Sequence, residues 1–223
     1  VHENQLLKDS DISVGSLRLE FASSNRLYQR GLVLGSMDSA MRVCLELAVR
    51  RNPDCLGAWY YLGGIYLKQG SLKKAIEAYN HIISSAMSDP LYSPLAYIGL
   101  ADTYGKESHQ KEQIAIYLQG ISRYPENASL HVGLARAYVE SARYSDAIRL
   151  CRQALKKSSG SDYPAAHFYL GLSYFHLGKK SEAVEEYRTL RTIERDSQTN
   201  TASTAKSFAE KLYGIIYSEK SLY

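Results

Sequence analysis

Six histidines, three cysteines and the pairs Gly63-Gly64 and Glu185-Glu186 are the side chains and spacings here that bear on chemistry. A metal centre needs ligands that one element presents together, as in C-x-x-C, H-x-x-x-H or H-E-x-x-H. A covalent nucleophile needs a base within hydrogen-bond reach. None of these ligand spacings and no Cys/His cluster occurs in the sequence. Cys44, Cys55 and Cys151 are scattered, which fits small buried hydrophobes in a reducing compartment better than a disulfide framework. Gly63-Gly64 falls inside a helical pattern rather than after a strand, so it does not cradle phosphate. Glu185-Glu186 reads as a solvated helix face. No catalytic residue, metal or cofactor is therefore expected, and the chain is not expected to be an enzyme.

The elements that carry these residues follow from composition and periodicity. With 45% hydrophobic and 22% charged residues, the 223-residue chain has enough apolar side chain for a core and is not disordered. No apolar run approaches the roughly 18 residues of a membrane span, so no membrane insertion is expected. The net charge of +4 is too diffuse to announce a nucleic-acid partner. Residues 1–20 lack the charged and apolar regions of a signal peptide, which makes the cytoplasm the expected location. A start at Val1 rather than Met is expected of a trimmed chain or a fragment. The composition has one oddity: 19 tyrosines stand against 4 phenylalanines and 1 tryptophan. A repeating slot that wants tyrosine would produce it.

Such a repeat is present. Trp59 to Tyr66 recurs as Tyr97 to Tyr104, His131 to Tyr138 and His167 to Tyr174, with the final tyrosines 38, 34 and 36 residues apart. A second periodic run follows the first, as in Ala75 to Tyr79, Ala147 to Cys151 and Ala183 to Tyr187. Both runs space apolar residues by three and four, which is helical. Between them Gly70-Ser71 and Gly178 to Ser181 predict a left-handed C-terminal residue followed by a hydroxyl N-cap. Pro90, Ser93 and Pro94, then Ser158 to Pro164, are expected to be loops. Each unit thus reads as helix, tight turn, helix. Gly63, Ala101, Ala135 and Gly171 allow close helix approach, and His131 and His167 take the aromatic wedge position of Trp59.

The order aromatic, Leu-Gly, Tyr, Gly, Ala, aromatic in Trp59, Leu62, Gly63, Tyr66, Gly70, Ala75 and Tyr79 resembles the tetratricopeptide repeat family. The same spacing meets Leu100, Ala101, Tyr104, Tyr117, Gly120 and Pro125, then Leu134, Ala135, Tyr138, Ala142, Ala147, Cys151 and Ala154, then Leu170, Gly171, Tyr174, Gly178, Ala183 and Tyr187. The resemblance implies an all-α fold, a right-handed α-solenoid of about five hairpins. Their expected bounds are 21–55 (divergent, with Leu27 and Gly35 matching but Gly31 in the tyrosine slot), 56–89, 94–127, 128–161 and 164–197. An N-terminal extension covers 1–20. After a polar break at Thr199 to Ser203, a capping helix is expected over 203–219, carried by Ala205, Phe208, Leu212, Ile215 and Ile216.

The resemblance further implies that the first helix of each hairpin lines a concave groove which holds a peptide or helix of another protein. The residues it places there are Tyr60, Gly64, Leu67, Lys68, Ile98, Asp102, Lys106, Val132, Arg136, Val139, Phe168, Phe175 and His176. Tyr60/Gly64 and Ile98/Asp102 do not match the Lys/Asn pair of members that clamp chaperone carboxylates, so that role is not expected. The expected function is a scaffold that binds an apolar peptide or amphipathic helix. The alternative is an assembly factor or subunit of a larger complex that uses loops and repeat edges. Arg149, Arg152, Lys156 and Lys157 follow one another along one helix and read as a solvated outer face; an acidic partner or nucleic-acid backbone there is the lesser reading.

Overall fold

The computed structural model describes residues 27, 29, 38–86, 89–158, 163–196 and 200–218. Residues 1–20, Gly31 and Gly35, and the end of the expected capping segment lie outside them. The described residues form ten helices: α1 (Asp38–Arg51), α2 (Leu56–Lys68), α3 (Leu72–Ser84), α4 (Tyr92–Lys106), α5 (Gln110–Arg123), α6 (Ala128–Glu140), α7 (Tyr144–Lys157), α8 (Pro164–His176), α9 (Lys180–Asp196) and α10 (Asn200–Ser218). No strand occurs among the described residues. The chain is an all-α solenoid of helical hairpins closed by a C-terminal capping helix. It divides into two compact units, Val1–Thr103 and Tyr104–Tyr223.

The four hairpins whose turns lie among the described residues turn in the same way. The carbonyls of Tyr66, Tyr104, Tyr138 and Tyr174 accept hydrogen bonds from the amides of Ser71, His109, Arg143 and Lys179 at 2.8, 3.0, 2.8 and 2.9 Å. Inside each of these bonds a tighter one joins Gly70 to Leu67, Ser108 to Gly105, Ala142 to Val139 and Gly178 to Phe175. This double closure ends a helix through one left-handed residue. Gly70 and Gly178 take it at φ +73°, as expected, but Ser108 (59°) and Ala142 (57°) take it without glycine. The expected hydroxyl cap is not made at Ser71, whose side chain forms no capping bond.

Two expected breaks are helical. Asp89 Oδ1 accepts from the amides of Leu91 and Tyr92 at 2.8 and 2.7 Å, while Ser93 Oγ accepts from the Asp89 amide at 3.1 Å. This reciprocal cap satisfies the free donors of a helix start, so Ser93 and Pro94 stand in the first turn of α4, where a proline costs no hydrogen bond. Likewise α10 begins at Asn200; the polar Ser203 and Thr204 are its solvated face, while Ala205, Ala209, Leu212 and Ile216 form its buried stripe.

Packing in the repeats is set by ring against glycine. A Cβ added at Gly63 would stand 2.7 Å from the Tyr79 ring, and one at Gly99 2.3 Å from it. Tyr79 of α3 therefore wedges between α2 and α4. Gly133 repeats this against Tyr117, at 2.3 Å. At the C-terminal end Gly171 meets Leu212 of α10, at 2.5 Å. The capping helix thus supplies the side chain that seats on the last first-helix.

Candidate functional site: an aromatic cavity in the N-terminal unit

Helices α2, α3 and α4 bring four tyrosines together. The Tyr60 ring lies edge-on to Tyr61 (centroids 5.4 Å apart), 5.7 Å from Tyr92 and 6.3 Å from Tyr79. Tyr79 is held by the two glycines, so it is a fixed wall for Tyr60. Burial, followed by Tyr61, Tyr92 and Asp102, pushes the Tyr60 phenol above its ordinary value. Burial, then Tyr60 and Asp102, raises Tyr79 likewise. Both phenols stay neutral and serve as amphipathic rings with one polar tip.

Beside this cluster is a cavity of about 260 Å³ lined by Met41, Tyr60, Tyr61, Gly64, Ile65, Lys68 and Tyr79. The spacing of Tyr60, Gly64 and Lys68 by four places them on one line of α2, and the missing side chain at Gly64 opens the middle of that line. The nearest atom to a Cβ at Gly64 is the Tyr79 hydroxyl at 4.0 Å. An aromatic and aliphatic wall with an ammonium group in the lining accommodates a large apolar side chain next to an acidic or carbonyl group.

The remaining groove residues divide by unit. In the N-terminal unit Leu67, Ile98 and Asp102 are half-buried. In the C-terminal unit Lys106 is exposed, Val132 is buried and Val139 half-buried. Arg136 donates to the Tyr117 hydroxyl at 3.1 Å and stands 3.9 Å from Glu140. Phe168 is 9% exposed and stacks on Phe208 of α10 at 4.8 Å. Phe175 is half-buried against His176, and exposed His176 stacks on Tyr144 at 4.7 Å. One cavity thus gathers Tyr60, Gly64 and Lys68, while Phe168 is met by the chain's own last helix. Met41, Tyr61 and Ile65 line the cavity without having been expected there. Tyr61 and Ile65 form the line of α2 next to Tyr60 and Gly64. Met41 comes from α1, and no local pattern signals its approach.

Among the described residues His81, His131 and His167 are held by ring contacts or hydrogen bonds within the chain. The His81 ring lies tilted against Trp59, centroids 4.5 Å apart, and its Nε2 and Trp59 Nε1 both meet the Pro53 carbonyl, at 2.9 and 2.8 Å. His131 and His167 are buried, on the Asn127 carbonyl at 3.0 Å and on Glu186 at 2.7 Å. Among the described residues no three His, Cys, Asp or Glu side chains could hold a metal ion. No described helix is long and apolar enough to cross a membrane. Three of the four basic residues of α7 are engaged within the chain: Arg149 with Asp146 (3.2 Å), Arg152 with the Tyr174 hydroxyl (2.7 Å) and Lys157 with Glu126 (2.7 Å).

Hairpins of this kind, stacked through ring-into-glycine contacts and closed by a terminal helix, define a helical-repeat scaffold for contacts between proteins. The chain belongs to the tetratricopeptide repeat family, whose model matches residues 44–90, 114–162 and 132–198, more than half of its length. No curated protein matches it in sequence. Similar solved structures include TTC0263, a thermophilic repeat protein of this family from Thermus thermophilus, with 20% identity, 85% of this chain and 99% of that one covered, and a TM-score of 0.64. MamA from Desulfovibrio magneticus RS-1 (residues 41 to the end) is similar at 16% identity, with 79% and 96% covered and a TM-score of 0.62. YrrB, described as a repeat protein with an unusual peptide-binding site, is similar at 11% identity, with 93% and 98% covered and a TM-score of 0.54.

Proposed function

We propose that this chain is an adaptor that binds an apolar peptide or amphipathic helix of a partner protein, with one large apolar side chain seated in the cavity beside Tyr60. The carrying observation is that cavity, which joins the aromatic wall of Tyr60, Tyr61 and Tyr79 to the gap at Gly64. Binding energy at such sites concentrates on a few desolvated aromatic anchors. The peptide-binding site of YrrB lends the reading support by analogy of fold. In the same proposal Leu67, Ile98 and Asp102, half-buried residues of the same unit, contact the remainder of the ligand. A cytoplasmic site of action belongs to it as well, since Cys44 and Cys151 are packed as small hydrophobes.

Gly64→Leu plugs the cavity without backbone strain, because Gly64 lies in α2 with open space beside it. Peptides selected from a random library on the immobilised wild-type protein should bind Gly64→Leu at least about tenfold more weakly. The melting temperature should not fall. Equal affinity for the two proteins would remove the cavity as the working surface.

A further inference from the structure

A second cavity, of about 510 Å³, opens in the C-terminal unit between the turn joining α5 to α6 and the end of α7. Ile121 and Pro125 give it an apolar wall, and Gln153, Lys156 and Lys157, at i, i+3 and i+4 of α7, give it a wall of donors. His131, 3% exposed, lines it as well. Its Nδ1 faces the Asn127 carbonyl at 3.0 Å; a carbonyl only accepts, so Nδ1 carries the proton and Nε2 is the nitrogen left for other bonds.

The ion pair at this cavity is lopsided. The Lys157 side chain is 21% exposed, whereas Glu126, whose carboxylate meets it at 2.7 Å, is 81% exposed. A cation held in the wall is thus matched by an anion on an exposed tether. Another carboxylate can take that place without leaving the ammonium unpaired, which is the costly state. Lys156, the next residue, makes no ion pair or hydrogen bond among the described residues. Two ammonium groups against one displaceable carboxylate make the cavity complementary to negative charge.

We propose that this cavity docks an acidic segment of a partner protein. One carboxylate replaces Glu126 on Lys157, a second meets Lys156, and a neighbouring apolar side chain lies on Ile121 and Pro125. The site shares no residue with the aromatic cavity, so the two proposals stand or fall separately.

The test titrates a labelled peptide of alternating glutamate and leucine, its glutamine counterpart, and a single-stranded oligonucleotide of equal charge into the full chain. The glutamate peptide should bind at least about tenfold more tightly than the glutamine peptide, and Lys156→Gln with Lys157→Gln should remove that advantage. Glu126→Gln removes the competing carboxylate and should strengthen binding. Glu210→Gln, at an exposed position of α10, changes net charge equally and is the control for diffuse attraction. The proposal is overturned if the glutamate peptide does not bind, if the lysine variants bind it as the parent does, or if Glu126→Gln gains no more than Glu210→Gln. Tighter binding of the oligonucleotide overturns it too, in favour of a phosphate site.

Discussion

The tyrosine that closes the first helix of a hairpin has opposite electrostatic surroundings in the two units. In the N-terminal unit Tyr66 donates its hydroxyl to the Glu46 carboxylate at 2.9 Å. In the C-terminal unit the Tyr174 hydroxyl accepts from Arg152 at 2.7 Å, and the Arg143 guanidinium lies 4.1 Å from the centroid of the Tyr138 ring. The backbone at all three positions is closed by the same pair of hydrogen bonds. What the repeat fixes is therefore the ring and its carbonyl; the hydroxyl is free to be tuned by whichever residue the neighbouring helix presents. The N-terminal unit pairs its closing tyrosine with a carboxylate and, at other positions, gathers Tyr60, Tyr61 and Tyr79 around a cavity. The C-terminal unit pairs tyrosines with arginine and seals its last hairpin with α10.

The largest test of this contrast is removal of α10. Burying a side chain such as Leu212 or Ile216 contributes roughly 1.5 to 3 kcal/mol, and Ala205, Ala209 and Phe208 add to it. Deleting residues 200–218 should therefore cost several kcal/mol, a large share of the roughly 5 to 15 kcal/mol that holds a domain together. It should also expose Phe168 and promote aggregation. The single tryptophan, Trp59, reports on the N-terminal unit alone. Its fluorescence transition should stay near that of the parent while the helical signal melts early. A common shift of both signals would mean that the units do not melt separately, and the contrast would lose its energetic meaning.

Much of this was legible in the sequence, and what was not has physical causes. The recurrence of Tyr66, Tyr104, Tyr138 and Tyr174 and the three-and-four spacing of apolar residues fix the helical hairpins, because both arise within one element. Tyr60, Gly64 and Lys68 share a line of α2 for the same reason. Gly99 and Gly133 are different. Their meaning depends on Tyr79 and Tyr117, about half a repeat away and on another helix, so no local pattern flags them. Met41 reaches the cavity only through packing of α1 on α2. The start of α4 reads as loop in the sequence because proline and serine signal both turns and helix starts; the Asp89 cap decides between them.

A second test uses alkali. The Tyr66 phenol is pushed up to about 12 by burial, then by its bond to Glu46, and Tyr60 and Tyr79 are raised in the same direction. An unfolded tyrosine titrates near 10. A folded value above the unfolded one contributes stability that is fully present below pH 10 and is lost as pH rises through the folded value. The N-terminal unit should therefore lose stability between about pH 10 and 12, seen as loss of the native Trp59 emission alongside the rise of tyrosinate absorbance. Tyr66→Phe, which cannot ionise, should move the Trp59 midpoint to higher pH. An unchanged midpoint would mean that the Tyr66–Glu46 contact is not what distinguishes the unit.

The smallest effect concerns the turns. Gly70 serves the N-terminal unit at φ +73°, where a glycine pays no steric penalty, whereas Ala142 holds the same left-handed position at 57° with a Cβ. A left-handed residue other than glycine costs roughly 1 to 2 kcal/mol, and glycine gives back part of the gain through the extra freedom of the unfolded chain. Ala142 is exposed, so its methyl group contributes little burial that the substitution would lose. Ala142→Gly should therefore stabilise the C-terminal unit by about 0.5 to 1 kcal/mol, read as a small rise in the melting of the helical signal with the Trp59 transition unmoved. The double hydrogen-bond closure from Ala142 to Val139 and from Arg143 to Tyr138 would be retained, because the backbone geometry is the one glycine favours. A fall in stability would show that the alanine is not strained at this turn and that the closure, rather than the residue, sets its cost.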